Sequence, residues 1–157
     1  MAFTLFFFGS WLMLALFTII PKKLSLTENT FVFLIILVIS INWTWIIYEE
    51  FKFIESTKTP IDYTAFLMFR SIIIPTVIIT QLNISAQARS KAFSLLAVVL
   101  STAVLLLFTF SSLQFEVVKY VNWNMIYDAL YYLALHGIAY STLKIFQNIQ
   151  TNEVNDL

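Results

Sequence analysis

Asp128, Tyr132, His136 and Tyr140 follow one another at four-residue intervals. On a helix that spacing sets them along one slowly drifting face. Carboxyl, phenol and imidazole in file are the material of a proton relay, since imidazole titrates near neutrality. The same groups serve equally well as hydrogen-bonding partners between helices. A relay needs an acceptor at its inner end and the sequence supplies none, which favours the second use. His136 is the only histidine and there is no cysteine. Metal sites and thiol nucleophiles are therefore not expected, nor is any cofactor. No serine stands beside a base in a hydrolase motif. Asn42, Trp45 and Glu49, at i, i+3 and i+7, share one face of a second helix. Arg70 stands alone in a third apolar stretch, with Asp128 as its expected ionic partner at a similar depth.

These residues need explaining because of what surrounds them. Hydrophobic residues make up 60% of the chain and charged residues 11%. The apolar blocks are long enough to cross a bilayer, which takes about 20 residues apiece. Five spans are predicted, at about residues 2–20, 30–48, 63–82, 92–113 and 123–146. The fold class expected is all-α, an integral membrane bundle of five transmembrane helices in the cell membrane. Residues 147–157 form a polar cytoplasmic tail, frayed or disordered. The first segment has no charged n-region and no Ala-x-Ala site, so it reads as a retained span.

The connectors carry their own signals. Ser25-Leu26-Thr27-Glu28 matches a capping box ahead of span two. Residues 51–61 mix aromatic and charged side chains and read as a loop or a short interfacial helix, while residues 114–122 read as an amphipathic connector. Pro75 breaks the backbone ladder of span three and strips the Ser71 carbonyl of its usual donor. Gln81 and Asn83 fall at the inner end of that span, where water is expected to reach them. Ala97 and Ser101 form a small-xxx-small step suited to close helix contact, as do Gly137 and Ser141.

Lys22, Lys23, Arg89, Lys91 and Lys144 collect on one side of such a bundle, and Lys52, Lys58 and Lys119 on the other. Cytoplasmic loops retain Lys and Arg, so the N-terminus is expected outside and the C-terminus inside. Arg70 then lies about 12 Å below the outer boundary. There it either snorkels or forms an ion pair, or it binds an anion or lipid headgroup. Asn42, Trp45, Glu49, Arg70, Asp128, Tyr132 and His136 make up the expected intramembrane polar cluster.

Three stretches carry a family likeness: Pro21-Lys22-Lys23, the run from Pro75 to Asn83, and Val118-Lys119-Tyr120 leading through Trp123. In these the chain resembles an uncharacterised family of small multi-pass membrane proteins of spore-forming Gram-positive bacteria. Ile74 stands where that family has tyrosine, and Asn124-Met125-Ile126 where it has Trp-Tyr-His. The resemblance implies class and topology, and no activity.

Zero net charge gives no basic face for nucleic acid. Two glycines leave no phosphate-cradling loop. The function expected is a non-enzymatic subunit or interaction component of a membrane complex. Its partners are the lipid bilayer and a second copy or another membrane protein. Two alternatives stay open: a small transporter or channel-like protein with an outer-leaflet polar site, and an intramembrane enzyme acting on a lipid-like substrate.

Overall fold

The computed structural model describes residues 1–155, with side chains through residue 150. It is mostly helical. Five helices follow in order: α1 (Ala2–Ile19), α2 (Leu26–Glu50), α3 (Pro60–Gln87), α4 (Lys91–Gln114) and α5 (Met125–Asn155). The first four are long and apolar enough to cross a membrane. α5 is the longest, but Asp128, His136 and four tyrosines dilute its apolar character.

α3 is the hub, packing against all four other helices. Its most apolar window is 67% buried, against 22% in each of α1, α2 and α4. The three outer helices instead expose large apolar side chains such as Phe8, Trp11, Leu34, Leu95 and Leu107. Exposed apolar surface on that scale is rare on a water-soluble monomer and suits a lipid-facing wall. α1 comes close to α4 at Gly9, where a Cβ would stand 2.5 Å from the Phe108 ring.

Local chemistry sets the helix boundaries. Glu28 N–H donates to Ser25 Oγ (3.2 Å) and Ser25 N–H to Glu28 Oε2 (2.6 Å), completing the predicted capping box of α2. Within α3, a π-turn over Phe69–Ile73 immediately precedes Pro75. Ile74 N–H reaches back to the Phe69 carbonyl, widening the turn where the proline ring would crowd the backbone. α2 also ends in a π-turn, Trp45–Glu50. Lys52 (φ 51°) and Glu116 (φ 52°) lie in the left-handed region that stops helices. Each turns the chain out of a helix, α2 and α4 respectively.

Beyond those stops each connector holds one three-residue strand between irregular stretches. β1 (Ile54–Ser56) and β2 (Val118–Tyr120) pair antiparallel, with Ile54 opposite Tyr120, Glu55 opposite Lys119 and Ser56 opposite Val118. Ile54 and Val118 are buried against the bundle while Glu55 and Lys119 face out. The ribbon thus modifies the all-α expectation. It was hidden because three-residue strands fall below any readable period and need a partner some sixty positions away to form. The predicted tail also changes, since α5 continues as helix through Asn155. Residues 156–157 lie outside the described residues.

At the end of the bundle away from the ribbon, Gln81 and Asn83 are buried, contrary to the expectation of solvated side chains. Asn83 Oδ1 accepts from the backbone N–H groups of Lys23 (3.1 Å) and Leu24 (3.2 Å). Its Nδ2 donates to Asn29 Oδ1 (2.7 Å) and to the Ile79 carbonyl (2.9 Å). Asn29 in turn donates to the Leu24 and Ser25 carbonyls. One amide therefore ties α3 to the α1–α2 connection and to the first turn of α2. Gln147 on α5 joins by donating to Glu28 Oε1 (2.6 Å). Asn83→Ala strands the buried Leu24 N–H, the part-buried Lys23 N–H and the Asn29 carbonyl oxygen, at about 1–3 kcal/mol per buried group left unsatisfied. A clear fall in thermal midpoint is expected in mild detergent, well beyond that caused by an exposed control such as Asn148→Ala.

Candidate functional site

The expected polar cluster divides into three. Asn42, Trp45 and Glu49 all face outward. Asn42 folds back to the Val38 carbonyl (2.8 Å), and the Trp45 indole donates to Glu50 Oε1 (3.1 Å) instead of facing Glu49's neighbours in the bundle. The π-turn begins at Trp45, and its wider pitch rotates the following residues so that Ile47 and Tyr48 turn inward. The i, i+3, i+7 face read from the sequence assumed an unbroken α-helix.

The second group lies at the ribbon end. The Arg70–Asp128 ion pair is not what holds Asp128. Its carboxyl accepts from the Tyr120 hydroxyl and from the Trp123 indole N–H (3.1 Å). Tyr120 belongs to β2, so a hydrogen bond from the ribbon has taken the place expected for the guanidinium. Burial, and then the bond to Asp128, push the Tyr120 hydroxyl well above its ordinary range and keep it a donor. Arg70 is half-buried over the Phe66 ring (5.6 Å), and its Nε has no hydrogen-bond partner. Tyr48 and Tyr131 lie within electrostatic reach of both Arg70 and Asp128, so two phenols stand in the field of both charges.

The third group follows the rest of the α5 stripe. The Tyr132 hydroxyl bonds Thr109 Oγ1 on α4 (2.7 Å). His136 Nε2 lies 3.0 Å from Ser101 Oγ on α4, and its Nδ1 lies 3.2 Å from Gln81 Oε1 on α3. Gln81 Nε2 donates to Ser85 Oγ (2.6 Å). Three helices thus meet at one imidazole. Tyr140, the last residue of the stripe, is exposed. Ser101 and Ala97 are buried, as a close helix contact requires, but Gly137 has open space beside it and Ser141 is exposed.

His136 and Gln81 also line a cavity of about 960 Å³ that opens at the end opposite the ribbon, between α3, α4 and α5. Four cations surround it, Lys23, Arg89, Lys91 and Lys144, and no carboxylate lines it among the described residues. Leu82, Leu95, Val98 and Leu143 supply apolar wall. Ile73, Ile78, Leu105 and Leu135, all essentially inaccessible, fill the bundle on the ribbon side of His136. The cavity is therefore blind, with a cationic rim, apolar walls and an imidazole–amide floor. A site of this kind accommodates an anionic group carried on an apolar body.

Sequence reasoning had Arg70, Asp128, Tyr132 and His136 as residues to watch, but not Gln81, Ser101 or the cationic rim as parts of one site. Gln81 carried a signal, an amide inside an apolar run; Ser101 looked like a packing residue. The chain matches no family model, no curated protein and no solved structure.

Because Asp128 is held by Tyr120 and Trp123, Tyr120→Phe and Asp128→Asn should couple in thermal stability by more than about 0.5 kcal/mol in a double-mutant cycle. Arg70→Met and Asp128→Asn should couple less than that pair.

Proposed function

We propose that this chain is a five-span protein of the cell membrane whose inner-side cavity binds the anionic headgroup of a lipid or lipid-like molecule. The single observation that carries this reading is the cavity rim of four cations, with no carboxylate among the described residues that line it, around apolar walls. An isolated cation near a membrane surface attracts anionic lipid by about 1 kcal/mol. Four of them around one concave site act on the same headgroup.

The fifth span is supported by the environment of α5. It packs alongside α2, α3 and α4. The groups that lower its apolar character are bonded within the bundle: Asp128 to Tyr120 and Trp123, Tyr132 to Thr109, and His136 to Ser101 and Gln81. A polar residue satisfied in this way no longer opposes insertion. The orientation, N-terminus outside and C-terminus inside, is supported by the five Lys and Arg residues at the cavity end against three Lys at the ribbon end. The packed side chains of Ile73, Ile78, Leu105 and Leu135 on the ribbon side of His136 favour binding over conduction. The protein works through what it binds: this ligand, and a second copy or another membrane protein against its apolar faces.

Two measurements test the reading. The natural chain has no cysteine, so single cysteines report sidedness directly. Thr59→Cys, at the ribbon end, should react with an impermeant maleimide on intact cells, and Ala86→Cys, at the cavity mouth, only after permeabilisation. Reversed labelling would overturn the orientation. Native mass spectrometry from nanodiscs should show phosphatidylglycerol retained in preference to phosphatidylcholine. Arg89→Gln combined with Lys91→Gln should weaken that retention roughly 10- to 30-fold. Equal retention of the two lipids would sink the headgroup assignment.

A further inference from the structure

The hydrogen bond between Ser101 and His136 sits where two differently lined cavities meet. His136 faces the cation-rimmed cavity. Ser101 faces a separate groove of about 360 Å³ between α1, α3 and α4, walled by side chains such as Met13, Leu16, Val77, Leu100 and Val104. Gln81 lines both. A headgroup-sized polar space and an acyl-sized apolar space therefore adjoin at one hydroxyl–imidazole contact. An acyl ester has that same division, with a hydrocarbon chain on the carbonyl side and a headgroup on the alcohol side.

The three side chains also have the arrangement that activates a serine. Gln81 Nε2 is committed to Ser85 Oγ at 2.6 Å, which turns Oε1 toward His136. Oε1 can only accept, so it holds the proton on Nδ1 and leaves the Nε2 lone pair facing Ser101 Oγ at 3.0 Å. That is the tautomer a general base requires, with an amide in the orienting position that a carboxylate or amide fills in hydrolytic triads. The Ser101 hydroxyl has a second acceptor in the Val98 carbonyl (2.9 Å), so its proton turns between a resting and an activated direction.

We propose that Ser101, His136 and Gln81 act as nucleophile, general base and positioning residue in the cleavage of an ester of an anionic acyl lipid. The substrate class rests on the headgroup reading of the cavity given above. Ser101 Oγ attacks the ester carbonyl carbon while its proton passes to His136 Nε2. The carbon–oxygen bond to the headgroup alcohol then breaks, and the departing alkoxide takes the proton from His136. The acyl group remains on Ser101, beside the apolar groove. Water, deprotonated by His136, attacks the acyl carbon; carboxylic acid leaves and Ser101 recovers its proton. Ser101 lies inside α4, where backbone N–H groups are committed to the helix. The developing oxyanion is left with side-chain donors; Thr80 lines the same groove, and its hydroxyl would have to turn from the Thr76 carbonyl it now bonds (2.7 Å). Slow turnover follows, so covalent capture is the more sensitive readout.

The test uses the full chain in phosphatidylglycerol nanodiscs, exposed to a long-chain alkyl fluorophosphonate, with the adduct mapped by peptide mass spectrometry. The unmodified protein should carry the adduct on Ser101, so the primary result depends on no variant folding. Fatty acid should be released from phosphatidylglycerol and not after Ser101→Ala. His136→Gln should slow labelling at least 100-fold, the usual scale for losing a general base. Gln81→Leu should slow it too, and Gln81→Glu, which restores an acceptor, should recover it at an unchanged thermal midpoint. A merely structural Gln81 gives no such recovery. No adduct on Ser101 in protein that retains phosphatidylglycerol overturns the catalytic proposal and leaves the binding reading standing. An adduct in protein that retains no phosphatidylglycerol overturns the anionic substrate class instead.

Discussion

α3 is enclosed by the four other helices, and each polar group it carries has to find its partner inside the protein. Most of the arrangement follows from meeting that demand. Asn83 draws in the backbone of the α1–α2 connection and the first turn of α2. Gln81 draws in His136 from α5 and, through it, Ser101 from α4. Pro75 is accommodated by a π-turn in its own helix. The demand is not met at Arg70, at the edge of the enclosed stretch, where Nε has no hydrogen bond and an aromatic face lies beneath, nor at Thr76, whose buried hydroxyl has no partner.

The two ends of the bundle are closed by different means. At one end a short ribbon lies across the helices, and Tyr120 from that ribbon reaches Asp128. The two left-handed stops, Lys52 and Glu116, aim the chain from α2 and α4 into the strands. At the other end the connections are short, and the space between α3, α4 and α5 stays open as the cationic cavity. Gln81 and His136 line the floor of that cavity, and Ser101 is bonded to His136 there.

The helices and their order were legible because twenty apolar residues in a row admit few other forms, and the Ser25–Glu28 box marked one start to the residue. The site was legible only in pieces. Asp128, Tyr132 and His136 do share an inward face, as their spacing implied. Asn42, Trp45 and Glu49 instead face outward, and the π-turn that begins at Trp45 turns Ile47 and Tyr48 inward beside them. The ionic pairing of Arg70 with Asp128 failed for another reason: opposite charges at like depth are a weak constraint when a tyrosine and a tryptophan lie closer along the chain. Ser101 gave no hint at all, since a serine with room for a neighbouring helix looks the same as a serine with an imidazole beside it.

By itself, the sequence determined the helical class, the apolar stretches and the residues too polar for their surroundings, because hydropathy and 3.6-residue periodicity are local properties of the chain. Only the tertiary structure decided which of those polar residues meet. Ser101 is 35 positions from His136, and His136 is 55 from Gln81. Contacts at such separations depend on how three helices rotate about their axes when they pack, and that rotation is set by the burial of α3 as a whole, which no single segment encodes.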